Sequence, residues 1–242
     1  MSQTHLGVNG WRGVLLDLDG TLLDTLPDLA AAANAMLAAM DRPALEESVI
    51  RTYVGKGADN LIARTLAARL DAPAPDPDVF AVARAHFFEH YHANNGRLAQ
   101  LYPGVTEGLK ALSELGLGLA VVTNKPYEFS MPLLEQTDLL RYMQLVVGGD
   151  TCARRKPDAE PMLYACQKLG CAPDATLTIG DSINDALAAR AAGCGGVVAV
   201  PYGYNEGAPV TELPVDGIVD SVLEAADWLQ RNQPKQSNNP VT

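Results

Sequence analysis

Short apolar runs alternate with segments of helical period along most of the chain. The runs are rich in Val, Leu and Ile, which is typical of buried strands. They predict five strands and a short edge strand, in order RGVLLDL (12–18), LGLAVVT (117–123), MQLVV (143–147), ATLTIG (175–180), GVVAV (196–200) and IVD (218–220). Segments such as TEGLKALSEL and SINDALAARAAG, which lie between the runs, predict helices. This alternation favours an α/β fold with a doubly wound, mostly parallel sheet.

One connection is too long for this pattern. The stretch from Thr21 to Leu117 is far longer than the roughly 30 residues of a complete βαβ unit. It holds four segments of helical period and no strand-like run, namely PDLAAAANAMLAAM, LEESVIRTYV, ADNLIARTLAARL and PDVFAVARAHFFEHYHANN. We therefore predict a small all-helical cap domain over residues 24–100, inserted after the first strand. Residues 1–23 and 101–232 are predicted to form a Rossmann-like core, and residues 233–242 a disordered tail.

The charge of the chain limits its partners. There are 18 Lys and Arg residues against 29 Asp and Glu residues, a formal net charge of −11, and no basic cluster. Binding to nucleic acid or to an anionic membrane is therefore not expected. The N-terminal MSQTHLGVNG has no signal-peptide pattern, and no apolar run is long enough to span a bilayer. We expect a cytoplasmic protein, either a monomer or a homodimer.

Two carboxylates interrupt the end of the first predicted strand, in VLLDLDGTLLDT (14–25). Asp17 and Asp19 are two positions apart, so their side chains project to the same side, and Gly20 permits a tight turn after them. Open α/β sheets bind ligands at the carboxyl ends of their strands. Like charges at this range require a cation or a shared proton. Taken alone, such a pair is more often a solvated strand end with a helix-capping Asp.

Three further segments end predicted core strands with polar residues. VVTNK contains Thr123, RRKPD places Lys156 before a helix predicted to open at Pro157, and TIGDSIND contains Asp181 and Asp185. Singly, these residues are more often a turn residue, a surface lysine and a helix N-cap. Together they place acids, a hydroxyl group and an ammonium group on one rim of the sheet.

DLDGT, the Thr of VVTN, the Lys of RKPD and the block GDSIND, in this order and on the expected strand ends, resemble the four motifs of the haloacid dehalogenase-like hydrolase superfamily. The resemblance covers residues 12–220, and the helical insert is similar to the first type of cap in that superfamily. Three segments are most similar to the phosphoglycolate phosphatases, namely YVGKGADNLI (53–62), LYPGV (101–105) and PYGYNEGAP (201–209).

This resemblance implies a phosphomonoesterase with four catalytic residues. Asp17 would attack phosphorus and form an aspartyl-phosphate, and Asp19 would act as general acid and then as general base. Thr123 and Lys156 would hold the phosphoryl oxygens. The expected substrate is a small phosphorylated metabolite, most specifically 2-phosphoglycolate. We expect Asn124 to join Thr123 and Lys156 in binding it.

A Mg²⁺ ion is the implied cofactor, because all the expected ligands are oxygen atoms. Its ligands would be the side chains of Asp17 and Asp181 and the main-chain carbonyl of Asp19, with Asp185 orienting them or Lys156. In VGKGADNL, Lys56 and the amides near its flanking glycines are expected to meet the carboxylate of the substrate.

Other functions use similar residues. A phosphatase or phosphomutase of the same superfamily could act on a sugar phosphate or a nucleotide, and motifs alone barely separate these reactions. The dehalogenase branch typically lacks an acid at the position of Asp19. A response-regulator receiver domain stores a phosphoryl group, but it carries its acids on different strands and has no helical cap. A non-catalytic metal-binding module would leave Thr123 and Lys156 unexplained.

Overall fold

A six-stranded parallel sheet forms the centre of the protein, in a computed structural model that describes residues 7–235. The strands of this range are β1 (Gly13–Leu16), β2 (Leu23–Asp24), β3 (Gln100–Leu101), β4 (Gly118–Val122), β5 (Leu145–Val147), β6 (Thr176–Gly180), β7 (Gly196–Ala199) and β8 (Gly217–Ile218). The order across the large sheet is β5-β4-β1-β6-β7-β8. The chain leaves the central strand β1 between β4 and β6, so residues that follow these three strands are brought to one place.

Helices cover both faces of this sheet. The α-helices of the described residues are α1 (Leu26–Ala39), α2 (Glu47–Arg51), α3 (Ala58–Ala67), α4 (Pro77–Asn94), α5 (Val105–Glu114), α6 (Tyr127–Gln136), α7 (Glu160–Leu169), α8 (Ile183–Ala192) and α9 (Val222–Arg231). Side chains of β1 alternate between the faces, as a strand requires. Val14 and Leu16 belong to the apolar cluster that contains α5 and α9, whereas Leu15 packs with α7 and α8. The predicted doubly wound α/β fold is confirmed.

Helices α1 to α4 build an apolar cluster of their own between β2 and β3. Its members include Met36, Ile62 and Phe87, each fully buried. Phe129 and Tyr204, which lie outside the insert, join this cluster and connect it to the rest of the chain. The cap boundaries at residues 24 and 100 stay a prediction.

Two features near this insert differ from the sequence-based expectation. Strands β2 and β3 pair in antiparallel register at the two ends of the insert, with Leu23 opposite Leu101. Strands of two residues have no alternation for a pattern to detect. Helix α7 begins at Glu160 and not at Pro157, because a turn from Arg155 to Asp158 comes first and the Asp158 carboxylate accepts the N–H of Glu160.

The end of the described chain lies against the core. The N–H of Lys235 donates to the carbonyl of Gly195 at 2.9 Å, within the segment predicted to be a tail. The rest of that predicted tail, residues 236–242, is outside the described residues. Among residues 7–235 no helix combines the length and the apolar character needed to cross a membrane.

Candidate active site

Three acids lie together where β1 and β6 end. Asp17 follows β1, Asp181 follows β6, and Asp185 lies in the first turn of α8. Each offers a carboxylate oxygen, and these three oxygens lie within 4.8 Å of one another. Because β1 and β6 are neighbouring parallel strands, their carboxyl ends meet at the same edge of the sheet. The fold thus assembles acids that are more than 160 residues apart in the sequence.

Asp181 is held in one orientation by two donors. The hydroxyl of Thr21 donates to Oδ1 and the N–H of Tyr204 donates to Oδ2, both at 2.6 Å. The main chain passes close to Asp181 at Gly20, where an added Cβ atom would lie 2.4 Å from Oδ2. Gly20 also has a φ of +86°, so the turn after the two acids requires glycine on two grounds.

Lys156 connects two of the three acids. Its ammonium group donates to Oδ1 of Asp185 at 2.6 Å and to the carbonyl of Val122 at 2.6 Å, and it lies 2.9 Å from Oδ1 of Asp17. Burial opposes the charged form, yet the carboxylates of Asp17 and Asp185 raise the pKa of Lys156 above its ordinary value. Lys156 therefore stays a cation and fixes the position of Asp17.

One cation does not neutralise three buried acids. Burial raises the pKa of Asp17 to about 7, with the charge of Asp185 adding to the effect. Burial, followed by the charges of Asp185 and Asp17, also raises the pKa of Asp181. Such a set of hard oxygen donors fits Mg²⁺, which would neutralise the excess negative charge. The predicted ligands Asp17 and Asp181 therefore lie together. Asp185 lies within reach of the same metal position and also accepts a hydrogen bond from Lys156.

The carboxylate of Asp19 is bound by two residues that the sequence interpretation did not assign. The ammonium group of Lys125 donates to both of its oxygens, at 3.0 and 3.2 Å, and the hydroxyl of Thr25 donates at 2.7 Å. Burial opposes the charge on Lys125, but the carboxylate of Asp19 raises the pKa of this lysine above its ordinary value. Lys125 lies two residues after Thr123 in VVTNK, in the segment that follows β4, so its nearness to the predicted site was the signal that could have identified it.

A small cavity lies above Asp17 and Asp19, between the core and the helices of the insert. Its volume is about 40 Å³, which is room for only a few water molecules. The insert contributes mainly apolar side chains to the wall, including Leu29, Val54 and Leu61, and the core contributes Phe129. The nucleophile and the acid predicted from the sequence thus face one cavity.

Thr123 and Asn124 also line this cavity. The hydroxyl oxygen of Thr123 accepts the N–H of Lys125 at 3.2 Å, so its proton is left for another acceptor. The side-chain amide of Asn124 donates to the carbonyls of Gly55 and Lys156, each at 3.0 Å. Asn124 therefore joins the insert to the core, while its buried Oδ1 has no hydrogen-bond partner among the described residues.

The Lys56 side chain is not brought to the cavity. Its ammonium group forms an ion pair with Glu206 at 2.9 Å, and the same carboxylate binds Arg64 at 2.8 Å. The glycines on either side of Lys56 do line the cavity, and both have positive φ, +122° at Gly55 and +84° at Gly57. The loop thus borders the site through its main chain, and substrate binding by Lys56 stays a prediction.

The sequence and the fold of this chain match one family of known proteins. Residues 14–200 match the family model described as haloacid dehalogenase-like hydrolase. A phosphoglycolate phosphatase from Thiobacillus denitrificans is 49% identical over 89% of this chain and 94% of its own length. Another, from Nitrosospira multiformis, is 46% identical over 91% and 96%. The crystal structure of a predicted phosphoglycolate phosphatase from Haemophilus somnus has a TM-score of 0.84 at 35% identity, covering 92% of this chain and 99% of the other.

Proposed function

The chain belongs to the haloacid dehalogenase-like hydrolase family and is a phosphatase, and we propose that it hydrolyses 2-phosphoglycolate to glycolate and phosphate. The cavity bordered by Asp17 and Asp19 carries this proposal. It combines a nucleophile with a second acid, and relatives that cover most of the chain are named phosphoglycolate phosphatases. The cytoplasmic location and the oligomeric state stay predictions.

Asp17 is the proposed nucleophile. It attacks phosphorus, the bond to the ester oxygen breaks, and an aspartyl-phosphate forms. Asp19 gives its proton to the departing alkoxide and then takes a proton from the water that cleaves the intermediate. The hydroxyl of Thr123, with its free proton, donates to a phosphoryl oxygen. Lys156, which is not among the residues that line the cavity, holds Asp17 through an ion pair and offsets the charge of the incoming phosphate.

Mg²⁺ would be held by the side chains of Asp17 and Asp181 and by the main-chain carbonyl of Asp19. When bound, it supplies a positive charge that offsets the negative charge of the phosphoryl oxygens. Asp181 is held ready for this role by Thr21 and by the N–H of Tyr204. Chelation of Mg²⁺ should therefore abolish turnover, and Ca²⁺, with its larger and looser coordination, should inhibit it.

The position of the insert over the two acids supports a small substrate. Leu29, Val54 and Leu61 of the insert line the cavity beside Asp17 and Asp19, so the leaving group of the ester has to fit between the core and the helices of the insert. The main chain at Gly55 and Gly57 lies at the wall, where its amides are available to an anion. A sugar-phosphate phosphatase or phosphomutase is the alternative that a substrate assay must separate.

A panel of phosphate esters assayed with Mg²⁺ tests the substrate. We expect 2-phosphoglycolate to give the highest kcat/KM, and a wide preference for a hexose phosphate or a nucleotide would contradict the proposal. The Asp17→Asn variant tests the mechanism, because an amide cannot form the acyl phosphate. It should lose almost all turnover while its melting temperature stays near that of the wild type. Substantial hydrolysis by a pure sample would exclude Asp17 as the nucleophile.

A further inference from the structure

The cavity contains a cation that the proposed chemistry does not use. Of the described residues that line it, Lys125 alone is positively charged. Its side chain is 3% exposed, and its ammonium group contacts both oxygens of the Asp19 carboxylate. An ammonium group has three hydrogens, so at least one points away from Asp19, toward Tyr91 or an acceptor that enters the cavity.

A phenol group lies beside this cation. The ammonium nitrogen of Lys125 is 5.0 Å from the centre of the Tyr91 ring, a distance at which a cation is attracted to an aromatic face. Tyr91 is 2% exposed and lines the cavity, and the Lys125 ammonium group acts on its hydroxyl, which has no partner among residues 7–235 at normal hydrogen-bond distance and angle. Buried hydroxyls are nearly always hydrogen-bonded, so this one indicates a polar group that arrives with a ligand.

The position of Lys125 relative to Asp19 suits one part of the proposed substrate. To protonate the leaving group, Asp19 must be within hydrogen-bond distance of the bridging ester oxygen. In 2-phosphoglycolate a single methylene separates that oxygen from the carboxylate. A cation that binds the carboxylate must therefore lie within a few ångströms of Asp19, and Lys125 is 3.0 Å away.

We propose that Lys125 and Tyr91 bind the carboxylate of the substrate, an inference that rests on the proposed function. Lys125 supplies the charge and Tyr91 donates a neutral hydrogen bond. Tyr91 lies on α4 of the insert, and Lys125 lies in the core segment after β4. An anionic substrate is therefore bound by the insert and the core together. Lys56 is not among the residues that line the cavity, and its ammonium group is bound to Glu206.

Two esters that differ only in the carboxylate test this site. The first is 2-phosphoglycolate, and the second is 2-hydroxyethyl phosphate, in which a hydroxymethyl group replaces the carboxylate. We expect the wild type to prefer the first by about 10- to 100-fold in kcat/KM, the usual range for a hydrogen bond to a charged group. In Lys125→Met this preference should fall to about threefold or less. In Tyr91→Phe, which removes one oxygen atom, it should fall by roughly 3- to 10-fold.

The ratio of the two substrates separates binding from positioning. If Lys125 only orients Asp19, Lys125→Met loses activity on both esters equally and keeps the wild-type preference, which overturns the inference and leaves the proposed function intact. Should Lys125→Met fail to fold, an unchanged preference in Tyr91→Phe overturns it instead. A wild type with no preference overturns both proposals. The wild type could instead favour some other phosphate ester while its preference for carboxylate over hydroxymethyl still depends on Lys125. That result overturns only the proposed function. Lys110→Met, at an exposed lysine on α5, is the matched control.

Discussion

The ammonium group of Lys156 lies 2.6 Å from Oδ1 of Asp185 and 2.9 Å from Oδ1 of Asp17. The other oxygen of Asp185 accepts the N–H and the hydroxyl of Ser182 at the start of α8. One carboxylate thus fixes both the helix and the lysine that holds the nucleophile. An amide has only one oxygen, so it cannot accept hydrogen bonds in both directions.

Asp185→Asn should therefore lower kcat by about 10- to 100-fold and change KM less, because the proposed nucleophile loses its fixed partner. The N-terminus of α8 should also lose a capping hydrogen bond, which should reduce the free energy of unfolding by about 1 kcal/mol. Steady-state kinetics and urea unfolding measure the two effects. Asp227→Asn, at an exposed aspartate on α9, is the control and should match the wild type. A wild-type kcat in Asp185→Asn would show that Lys156 needs no such restraint.

Asp19→Asn should distinguish leaving groups. The amide has no proton to give, so hydrolysis of 2-phosphoglycolate should fall by about 10²- to 10⁴-fold. An aryl leaving group such as p-nitrophenolate departs without a proton, so the first step should survive with p-nitrophenyl phosphate. The second step, which needs the base, should then become slow. Stopped-flow mixing should show a burst of p-nitrophenolate close to the enzyme concentration, and equal losses on both esters without a burst would assign Asp19 a structural role.

Much of this site follows from the sequence, because parallel strands end at one edge of a sheet. That rule alone places Asp17, Thr123 and Asp181 side by side once β1, β4 and β6 are neighbours. It cannot place Tyr91, because the position of its ring depends on how α4 packs. The place of Tyr91 in the apolar period of α4 is that of an ordinary core residue.

The direction of a long flexible side chain is equally hard to predict. Lys56 lies in a loop beside the cavity, but the carboxylate of Glu206, distant in the sequence, binds its ammonium group. Both residues lie in segments that resemble phosphoglycolate phosphatases, YVGKGADNLI and PYGYNEGAP, and the structure brings these segments together. A motif can therefore indicate a subfamily without revealing which of its side chains faces the substrate.

Binding of Mg²⁺ should strengthen as the pH rises. Burial raises the pKa of Asp17 to about 7 and also raises that of Asp181, whereas an unfolded Asp titrates near 4. Between these values the metal-free native state holds more protons than the unfolded state, so its stability falls as the pH rises. Mg²⁺ binds the ionised acids and competes with those protons.

The rise in melting temperature on adding Mg²⁺ should therefore be small at pH 5 and large at pH 8. Differential scanning fluorimetry across this range measures it. Asp181→Asn, which lacks one of the acids, should show a smaller rise at pH 8. A rise that is the same at every pH, or the same in Asp181→Asn as in the wild type, would contradict the proposed metal site.

Glu206 should control how firmly the insert closes over the cavity. It lies in the core segment 201–209 and binds Lys56 at 2.9 Å and Arg64 at 2.8 Å, both in the insert. Burial works against its charge, but the hydrogen bonds from Lys56 and Arg64 lower the pKa of Glu206 below its ordinary value. The stability that Glu206 contributes is thus present above its unfolded pKa and is lost as the pH falls through the lower folded value.

In Glu206→Gln, the largely buried Arg64 loses its charged partner, and the closed arrangement becomes less favourable. The free energy of unfolding should fall by about 1 kcal/mol, since the Lys56 pair is partly exposed and screened by solvent. KM for 2-phosphoglycolate should rise severalfold with a smaller change in kcat, because closure precedes the chemical step. Glu107→Gln, at an exposed glutamate on α5, should leave both quantities unchanged. In the wild type, raising the salt concentration should increase KM, and in Glu206→Gln it should increase KM much less. An equal response of KM to salt in the two proteins would show that this ion-pair cluster plays no part in closure.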